Sequence, residues 1–269
     1  SMLLRFGVGL PPPAAGSIWL HGSSAGEIAM LQGLVRRLET DFPETPLVIT
    51  AYSSTGFSAA RKAYPEHRVL FFPADFSFIV RRFLRRFDPR LVVIVESDFW
   101  PNFLLATQNR KIPVAVLNGK MSNKSYRIHA RTRLVPKLLR SLPVLAVQNE
   151  EYESRLLKLG ISPQRVNVTG DMKYDLTDPA GRTETSRDLR ASLGFSLGDV
   201  VIIGGSLHDR ENEVLIESYQ RLIAKHANVS LIIVPRYPTD VSRIEEVLEE
   251  RALNPVRKTQ VDVAKKQPP

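Results

Sequence analysis

Short apolar runs rich in β-branched residues alternate with helical patterns along almost the whole chain. Examples of these runs are Ile18-Trp19-Leu20, Leu47-Val48-Ile49 and Leu91 to Val95. Strands that alternate with helices in this way indicate βαβ units with a parallel sheet, covered by helices on both faces. The pattern therefore predicts an α/β fold.

The alternation can be divided into elements. Strands are predicted near residues 17–21, 46–51, 68–72, 91–96, 113–117, 143–147 and 165–169. Helices are predicted near 26–39, 56–64, 76–87, 99–109, 124–140 and 150–159. The polar stretch 173–186, with a Pro and a Gly, predicts a linker. Beyond it the pattern predicts helix 185–194, strand 199–204, helix 211–225, strand 229–234, helix 239–252 and a frayed tail.

These elements indicate two domains, 1–172 and 187–269, joined by the linker 173–186. The second has about half the material of a usual nucleotide-binding half, so we expect a chain that is cut short at its C-terminus. The leading Ser1-Met2 is typical of a cloning remnant, and we expect native residues upstream of it.

Composition excludes several classes of function. The 269 residues contain no cysteine, which rules out disulfides, thiolate catalysis and cysteine-based zinc sites. The sequence contains no run of about 18 apolar residues, so it predicts no membrane span. The formal net charge of +9 favours partners that carry phosphate, such as anionic lipid or a nucleotide. Nucleic acid is not predicted, because the chain lacks RNA-binding aromatic signatures, zinc-finger spacing and a basic leucine-zipper region.

Polar motifs follow the predicted strands at the points where the strands end. They are residues 21–27, 53–56, 96–102, 118–122, 204–208 and 235–238. In open α/β sheets, ligands bind in the crevice at the carboxyl ends of the strands. The motif positions therefore predict an enzyme with its chemistry along one edge of a sheet.

The motif 21–27, His-Gly-Ser-Ser-Ala-Gly-Glu, supplies the first candidate catalytic residue. Its small residues allow close backbone approach, and they place Glu27 in the first turn of a helix. The helix dipole favours an ionised carboxylate there, and such a group in a cleft can accept a proton from a hydroxyl nucleophile. The alternative is an ordinary helix start, with Ser as the cap and Glu27 in the first turn.

Glu96 follows a strand whose pattern predicts burial on both faces. An acid in that position either pairs with a cation or works in a pocket. Asn118-Gly119-Lys120 brings a cation to the same edge, either to pair with Glu96 or to bind an acidic substrate. Asp98 is a candidate cap for the helix that Pro101 begins, and Trp100 is read as a packing residue rather than a ligand platform.

The second domain offers a candidate phosphate site. Gly204-Gly205-Ser206 follows an apolar run, and glycines between a strand and a helix let a phosphate approach the backbone. Arg236, after Pro235 at the next strand end, can bind phosphate oxygens with two hydrogen bonds. A surface arginine with no ligand is the alternative.

The helix predicted at 76–87 is basic and amphipathic. Val80, Phe83, Leu84 and Phe87 share one face, and Arg81, Arg82, Arg85 and Arg86 share the other. Such a helix either lies on an anionic membrane surface or packs on the core with a solvated basic face.

Taken together, the motifs resemble bacterial 3-deoxy-D-manno-oct-2-ulosonic acid (Kdo) transferases. The resemblance runs from Arg5-Phe6-Gly7 to about residue 250 and rests on the order and spacing of the motifs. They are HGSSAGE, TAYSSTG, FFPADF, ESDFWPN, NGKMSNKSY, VQNEEYESRLLKLG, VTGDMKYD, GGSLHDRENE and VPRYP.

The resemblance implies a GT-B fold, with two Rossmann-like, doubly wound parallel-sheet domains of which the second is incomplete. It implies a glycosyltransferase of lipopolysaccharide synthesis, which inverts the anomeric centre as it moves Kdo from CMP-Kdo to a lipid A precursor. The first domain would bind the acceptor and the second the donor. It also implies a location on the cytoplasmic face of the inner membrane, with the anchor upstream of this chain. The mechanism calls for no cofactor and no metal.

The residue roles that the resemblance implies fall into three sets. The catalytic residues would be Glu27, as general base, and Glu96. The donor-binding residues would be Gly204, Gly205, Ser206, Pro235 and Arg236. The acceptor-binding residues would be Ser24, Gly26, Ser54, Thr55, Asn118 and Lys120.

The chain departs from the family pattern at three places. Gly119-Lys120 stands where Ala-Arg is common, Tyr237 stands where His is common, and the later donor motifs are absent from the sequence. Lys lacks the planar two-point contact of Arg, so contacts at residue 120 are expected to differ. The alternative functions are a GT-B transferase or epimerase for another nucleotide, and an inactive lipid-binding remnant.

Overall fold

A computed structural model describes residues 2–96, 99–132, 134–176 and 189–260. The chain divides into two compact units, residues 1–177 and 178–269. Of the predicted linker 173–186, the described residues 173–176 belong to the 3-10 helix Met172–Leu176 of the first unit. The rest of the predicted linker lies outside the described residues, and the domain roles stay a prediction.

The first unit contains a parallel sheet of seven strands, as the alternation predicts. In chain order they are β1 Ile18–His21, β2 Leu47–Ala51, β3 Arg68–Phe71, β4 Leu91–Val95, β5 Val114–Gly119, β6 Val144–Val147 and β7 Val166–Val168. Their order across the sheet is β3-β2-β1-β4-β5-β6-β7. The order reverses direction between β1 and β4, which opens a crevice at the carboxyl ends of these two strands.

Helices cover both faces of this sheet. They are α1 Ala25–Asp41, α2 Ser54–Ala63, α3 Ser77–Phe87, α4 Pro101–Asn109, α5 Asn123–Arg131, α6 Leu134–Leu139 and α7 Glu150–Lys158. Apolar residues of α1 and α2 pack with Ile18 and Leu20 of β1 on one face. Those of α3, α4, α6 and α7 pack with Trp19 on the other. Alternation along a strand sends neighbouring side chains to opposite faces, which is why the central strands are predominantly apolar.

One predicted helix is wrong. Residues 124–140 form two helices, α5 and α6, instead of one. Pro136 is the physical reason, because its ring clashes with the carbonyl four residues earlier and it has no N–H to donate. The carbonyl in question is that of Thr132, which ends α5 in an extended conformation.

The second unit, in its described part, contains two parallel strands. They are β8 Val200–Leu207 and β9 Val229–Pro235, with the helices α8 Asp209–Ile223 and α9 Val241–Glu250. Residues 189–192 are helical as well. β8 continues to Leu207, beyond the predicted end at residue 204. Gly204, Gly205 and Ser206 therefore lie within the strand end rather than in a loop, and the pairing with β9 shifts register between Gly205 and Leu207.

Among the described helices, none combines the length and the apolar character that a bilayer crossing requires.

Candidate active site

The reversal of strand order brings two predicted catalytic segments to neighbouring strand ends. β1 and β4 pair in parallel, with His21 opposite Ile94. The turn that leads to Glu27 leaves β1 at this edge, and Glu96 follows β4 directly. The predicted convergence of the first-domain motifs at one sheet edge is confirmed, and the crevice at this edge is the candidate active site.

Glu27 lies in a reciprocal cap at the start of α1. Ser24 is the N-cap residue, and the Glu27 amide donates to its hydroxyl at 3.3 Å. In return the Glu27 carboxylate accepts from the Ser24 hydroxyl at 2.8 Å and from the Ser23 amide at 2.7 Å. Glu27 is only 9% exposed. The helix-start interpretation of Glu27 is thus realised, and these bonds also fix the carboxylate at the crevice.

Gly22 makes this fold of the turn possible. A Cβ at Gly22 would lie 3.0 Å from the Cβ of Glu27 and 3.1 Å from the Glu27 carbonyl carbon. Any larger residue would push the carboxylate and the first turn of α1 apart.

The start of α2 packs against the same turn. The amide and the hydroxyl of Ser53 both donate to the Ser23 carbonyl, at 2.8 and 2.9 Å. A Cβ on Gly56 would lie 3.0 Å from that carbonyl oxygen. The predicted acceptor residues Ser24, Gly26, Ser54 and Thr55 are therefore gathered at two adjacent helix N-termini, and all but Ser24 are exposed.

His21 forms the buried floor of the crevice. Its ring stacks on Phe72 with centroids 4.0 Å apart, and Nδ1 lies 3.1 Å from the Thr50 carbonyl oxygen. A carbonyl only accepts, so Nδ1 carries the proton and Nε2 can accept from the Ser23 hydroxyl at 3.4 Å. Burial lowers the pKa of His21 to about 3, although the hydrogen bond to Thr50 acts in the opposite direction. The ring is therefore neutral at physiological pH.

Glu96 and Lys120 form an ion pair across neighbouring strand ends. The Lys120 Nζ lies 2.6 Å from the Glu96 carboxylate, and the two side chains are 32% and 20% exposed. Burial lowers the pKa of Lys120, but the hydrogen bond and charge of Glu96, aided by Asp171, outweigh that effect and raise it. Of the two alternatives for Glu96, the structure shows pairing with a cation, and both side chains remain partly exposed.

Two residues at this edge adopt left-handed backbone conformations. Glu96 has φ +68° and Asn118 has φ +56°. Such conformations cost a non-glycine residue about 1–3 kcal/mol and concentrate at functional sites. Asp88, Lys111 and Ala252 share the conformation, but they lie at helix ends, where it is ordinary.

Asn118 is fully buried, and its side chain is used inside the protein. Its carbonyl oxygen accepts from the Met172 amide at 3.0 Å, and its amino group lies 3.2 Å from the Met30 sulfur. Asn118 therefore links β5 to the 3-10 helix Met172–Leu176 through its side chain. Its predicted acceptor contact stays a prediction.

Sequence reasoning missed Asp75, which caps α4. Its carboxylate accepts from the amides of Asn102 and Phe103 at 3.0 and 2.8 Å. Asp98, the predicted cap, lies outside the described residues. The position of Asp75 after β3 was the signal in the sequence that could have identified it. Only the packing of α3 beside α4, however, brings its carboxylate within reach of the first amides of α4.

Trp100 packs in an aromatic column at the crevice. Its ring stacks on Tyr52 with centroids 4.9 Å apart, and it lies 5.5 Å from Phe72. Arg5 covers the Tyr52 ring at 4.6 Å. The structure agrees with the interpretation of Trp100 as a packing residue.

The candidate donor residues come together at the strand ends of the second unit. Gly205 has open space where a Cβ would project, and Ser206 has φ +58°. Pro235 ends β9 opposite Leu207. Arg236 follows it, and its guanidinium lies 3.2 Å from the His208 ring nitrogen Nε2. Gly204 is in contrast packed tightly, since a Cβ there would lie 2.3 Å from Leu215.

No group of three or more metal-ligating side chains occurs in the described parts of the chain.

The architecture resembles that of GT-B glycosyltransferases and epimerases. A crystal structure of UDP-GlcNAc 2-epimerase from Neisseria meningitidis bound to UDP-GlcNAc aligns with 90% of this chain and 72% of its own, with a TM-score of 0.63 at 14% identity. A glycosyltransferase from Rickettsia africae aligns with 89% of this chain and 66% of its own, with a TM-score of 0.58 at 13% identity. These likenesses define the fold class.

The family follows from sequence. The profile of 3-deoxy-D-manno-octulosonic-acid transferase (kdotransferase) matches residues 2–176, and the chain belongs to this family. It is 26% identical over 251 residues to the 3-deoxy-D-manno-octulosonic acid transferase of Haemophilus influenzae, covering 93% of this chain and 58% of the relative. It is 30% identical over 259 residues to that of Chlamydia trachomatis serovar D, covering 94% and 59%. The chain thus spans less than two thirds of these relatives' length.

Proposed function

We propose that the protein transfers Kdo from CMP-Kdo to a lipid A precursor, with Glu27 as the general base. The observation that carries this proposal is the buried carboxylate of Glu27, fixed where the strand order reverses. Family membership supports the reaction class, since the named relatives are Kdo transferases.

In the proposed reaction Glu27 takes the proton of an acceptor sugar hydroxyl. The hydroxyl oxygen then attacks the anomeric carbon of Kdo as the bond from that carbon to the CMP phosphate oxygen breaks, so the configuration inverts. The bonds from Ser23 and Ser24 fall on different oxygens of the Glu27 carboxylate. Those bonds also hold the base in place before the acceptor arrives, which lowers the entropic cost of the step.

The ion pair of Glu96 and Lys120 supports recognition of an acidic substrate. Lys120 stays charged, because its partner raises its pKa, and Glu96 fixes its position at the crevice. Such a cation attracts the carboxylate of Kdo or a phosphate of the acceptor. We assign Ser24, Gly26, Ser54, Thr55 and Asn118 to the acceptor side as well.

We assign the strand ends of the second unit to the donor. Gly205 lets a phosphate approach the backbone, and the amides at the start of α8 and the Arg236 guanidinium can bear the charge that develops on the departing CMP. Gly204 and Pro235 shape this strand end, and Ser206 adds a hydroxyl. The proposed step needs neither a metal nor a cofactor.

The basic face of α3 supports docking on an anionic membrane surface. Arg81, Arg82 and Arg85 are exposed and Arg86 is half-buried. We place the protein at the cytoplasmic face of the bacterial inner membrane, where the acceptor lipid would be presented.

The test is to incubate a protein of the relatives' full length with CMP-Kdo and lipid A precursor, and to weigh the lipid product. The expected result is a lipid heavier by one or more Kdo residues, with release of CMP. Absence of both products from a folded protein would refute the proposal. Conversion of a different nucleotide sugar would favour another GT-B enzyme.

A further inference from the structure

Helix α3 presents an apolar side chain to solvent among its arginines. Its inner face is buried through Ile79, Val80, Phe83, Leu84 and Phe87. On the outer face Phe78 is 68% exposed, and the neighbouring Phe76 is 56% exposed, with the two rings 6.2 Å apart. Exposed aromatic rings beside cations are typical of surfaces that insert into the headgroup region of a bilayer.

A groove with a volume of about 530 Å³ lies beside this face, between α3 and α4. Three arginines and two apolar side chains dominate its wall. They are Arg81, Arg85, Arg110, Phe78 and Leu105. No Asp or Glu is among the described residues that line it. Asp88 pairs with Arg110 from outside the lining, so the positive charge is concentrated at Arg81 and Arg85.

The arginines keep donors available for a ligand. Arg81 gives one hydrogen bond to the Ser77 carbonyl, at 3.0 Å, and Arg110 pairs with Asp88 at 2.9 Å outside the groove lining. A guanidinium has five N–H donors in a planar fork, so one such bond leaves others for phosphate oxygens. Leu105 is 42% exposed and adds apolar surface next to these donors.

We infer that this groove binds the phosphate of an anionic phospholipid in the bilayer surface, with Phe78 and Leu105 against the first part of its acyl chains. Arginine binds phosphate oxygens in pairs, and the groove volume falls in the range of small-ligand sites. This inference deepens the membrane docking of the proposed function and rests on it. It adds Arg110, Phe78 and Leu105 to the surface that the basic helix alone predicts.

The groove also sets an orientation. α3 follows β3 and α4 follows β4, so both helices begin at the carboxyl edge of the sheet. Phe78 lies near the start of α3, and Glu27 lies at that same edge. The N-terminal end of the groove therefore lies at the sheet edge that carries the candidate base, where a lipid-borne hydroxyl is needed.

The experiment is cosedimentation of the full chain with vesicles of equal parts phosphatidylglycerol and phosphatidylcholine, without donor or acceptor sugar. Changing Arg81→Gln, Arg85→Gln and Arg110→Gln together should weaken binding on the order of 100-fold, since each basic residue near an anionic surface contributes about fivefold. The matched control changes Arg36→Gln, Arg37→Gln and Arg61→Gln, exposed arginines of α1 and α2 on the opposite layer. This control removes the same charge and should bind nearly as the parent does.

Equal losses in the two variants would overturn the inference, because only the overall charge would then matter. Equal binding to vesicles of phosphatidylcholine alone would show that the groove does not require an anionic headgroup, and would overturn the inference. Release by inorganic phosphate, but not by chloride at the same ionic strength, would show a site for soluble anions and would also overturn it.

A second measurement does not depend on the arginine variants folding. Phe78→Trp adds a tryptophan at the groove to the two native ones, Trp19 and Trp100. After subtraction of the parent protein's emission, its signal should shift to the blue with anionic vesicles. Phe42→Trp is the control, since Phe42 is 48% exposed at the end of α1. If the emission of the Phe78→Trp variant stayed unchanged while vesicles were bound, the contact would lie elsewhere. In a protein of the relatives' length, vesicle binding without Kdo transfer would refute only the proposed function. Transfer by that protein to detergent-dispersed acceptor without vesicle binding would refute only the groove.

Discussion

Glu27 has a structural role, in the cap of α1, and a proposed chemical role as the general base. A substitution can separate the two roles. The capping bonds that join it to Ser23 and Ser24 need only acceptor oxygens and would form in an inert protein too. The proposed base function needs an ionised carboxylate. An amide of the same shape therefore distinguishes the two.

We expect Glu27→Gln to lower turnover by about 100-fold or more in a protein of the relatives' length, because the amide cannot accept the proton. The unfolding midpoint should change little, since the amide oxygen can still accept from the Ser23 amide and the Ser24 hydroxyl can turn to accept from the amide nitrogen. Steady-state rates and thermal unfolding are the measurements. Ser24→Ala is the control for stability alone, and it should cost about 1 kcal/mol through the lost cap while the carboxylate remains. Near-normal turnover of Glu27→Gln would end its assignment as the base.

His21 makes a prediction about pH. Its folded pKa of about 3 lies below the unfolded value of 6.5, so the unfolded chain binds more protons between these values. The contribution of neutral His21 to stability is complete above pH 6.5 and is lost as the pH falls toward 3, by about 1.4 kcal/mol per pH unit. His21→Asn should flatten this limb between pH 6.5 and 5 in denaturant titrations. An unchanged slope would show that His21 is not the group responsible.

At the scale of elements, the crevice depends on how closely α1 and α2 begin beside each other. Both helices start with a serine cap, Ser24 for α1 and Ser53 for α2. Ser53 then binds the carbonyl of Ser23, so the cap of one helix holds the turn of the other. Gly56 makes this approach possible, because a glycine places no side chain against the backbone of Ser23.

We expect Gly56→Ala to destabilise the protein by about 1–3 kcal/mol, because the added methyl group overpacks against the Ser23 backbone. Gly33→Ala is the matched control. Gly33 lies in α1 with nothing within 4 Å of its added Cβ, so alanine should stabilise the helix by about 0.5–1 kcal/mol. Chemical denaturation measures both. If the two substitutions shifted stability in the same direction, the close contact at Gly56 would not be significant.

At the scale of the whole molecule, the two units differ in how completely their sheets are covered. The strands β1, β2 and β4 at the centre of the first unit are buried almost throughout. In the described part of the second unit, apolar side chains of its two strands face solvent. Ile203 is 65% exposed, Val200 52% and Val234 51%. The chain also spans only 58% of the Haemophilus influenzae relative.

We therefore predict that these 269 residues by themselves bind CMP weakly, transfer no Kdo and self-associate. Exposed apolar strands invite pairing with another chain. Calorimetry with CMP measures the first property, and sedimentation velocity measures the last. A protein of the relatives' length, purified in parallel, is the control. Micromolar affinity for CMP, or transfer by the 269 residues, would show that the donor pocket needs nothing more.

The alternation of strands and helices, the sheet edge that carries the motifs, and the helix start at Glu27 could all be predicted from the sequence. These features depend on local periodicity and on short-range capping, which neighbouring residues determine. The tertiary structure alone decided that β1 lies beside β4, that Lys120 pairs with Glu96, that Asp75 caps α4, and that α3 and α4 enclose a basic groove. Each of these joins segments far apart in the chain, and their contact is set by which strands and helices pack as neighbours. No local pattern in the sequence encodes that choice.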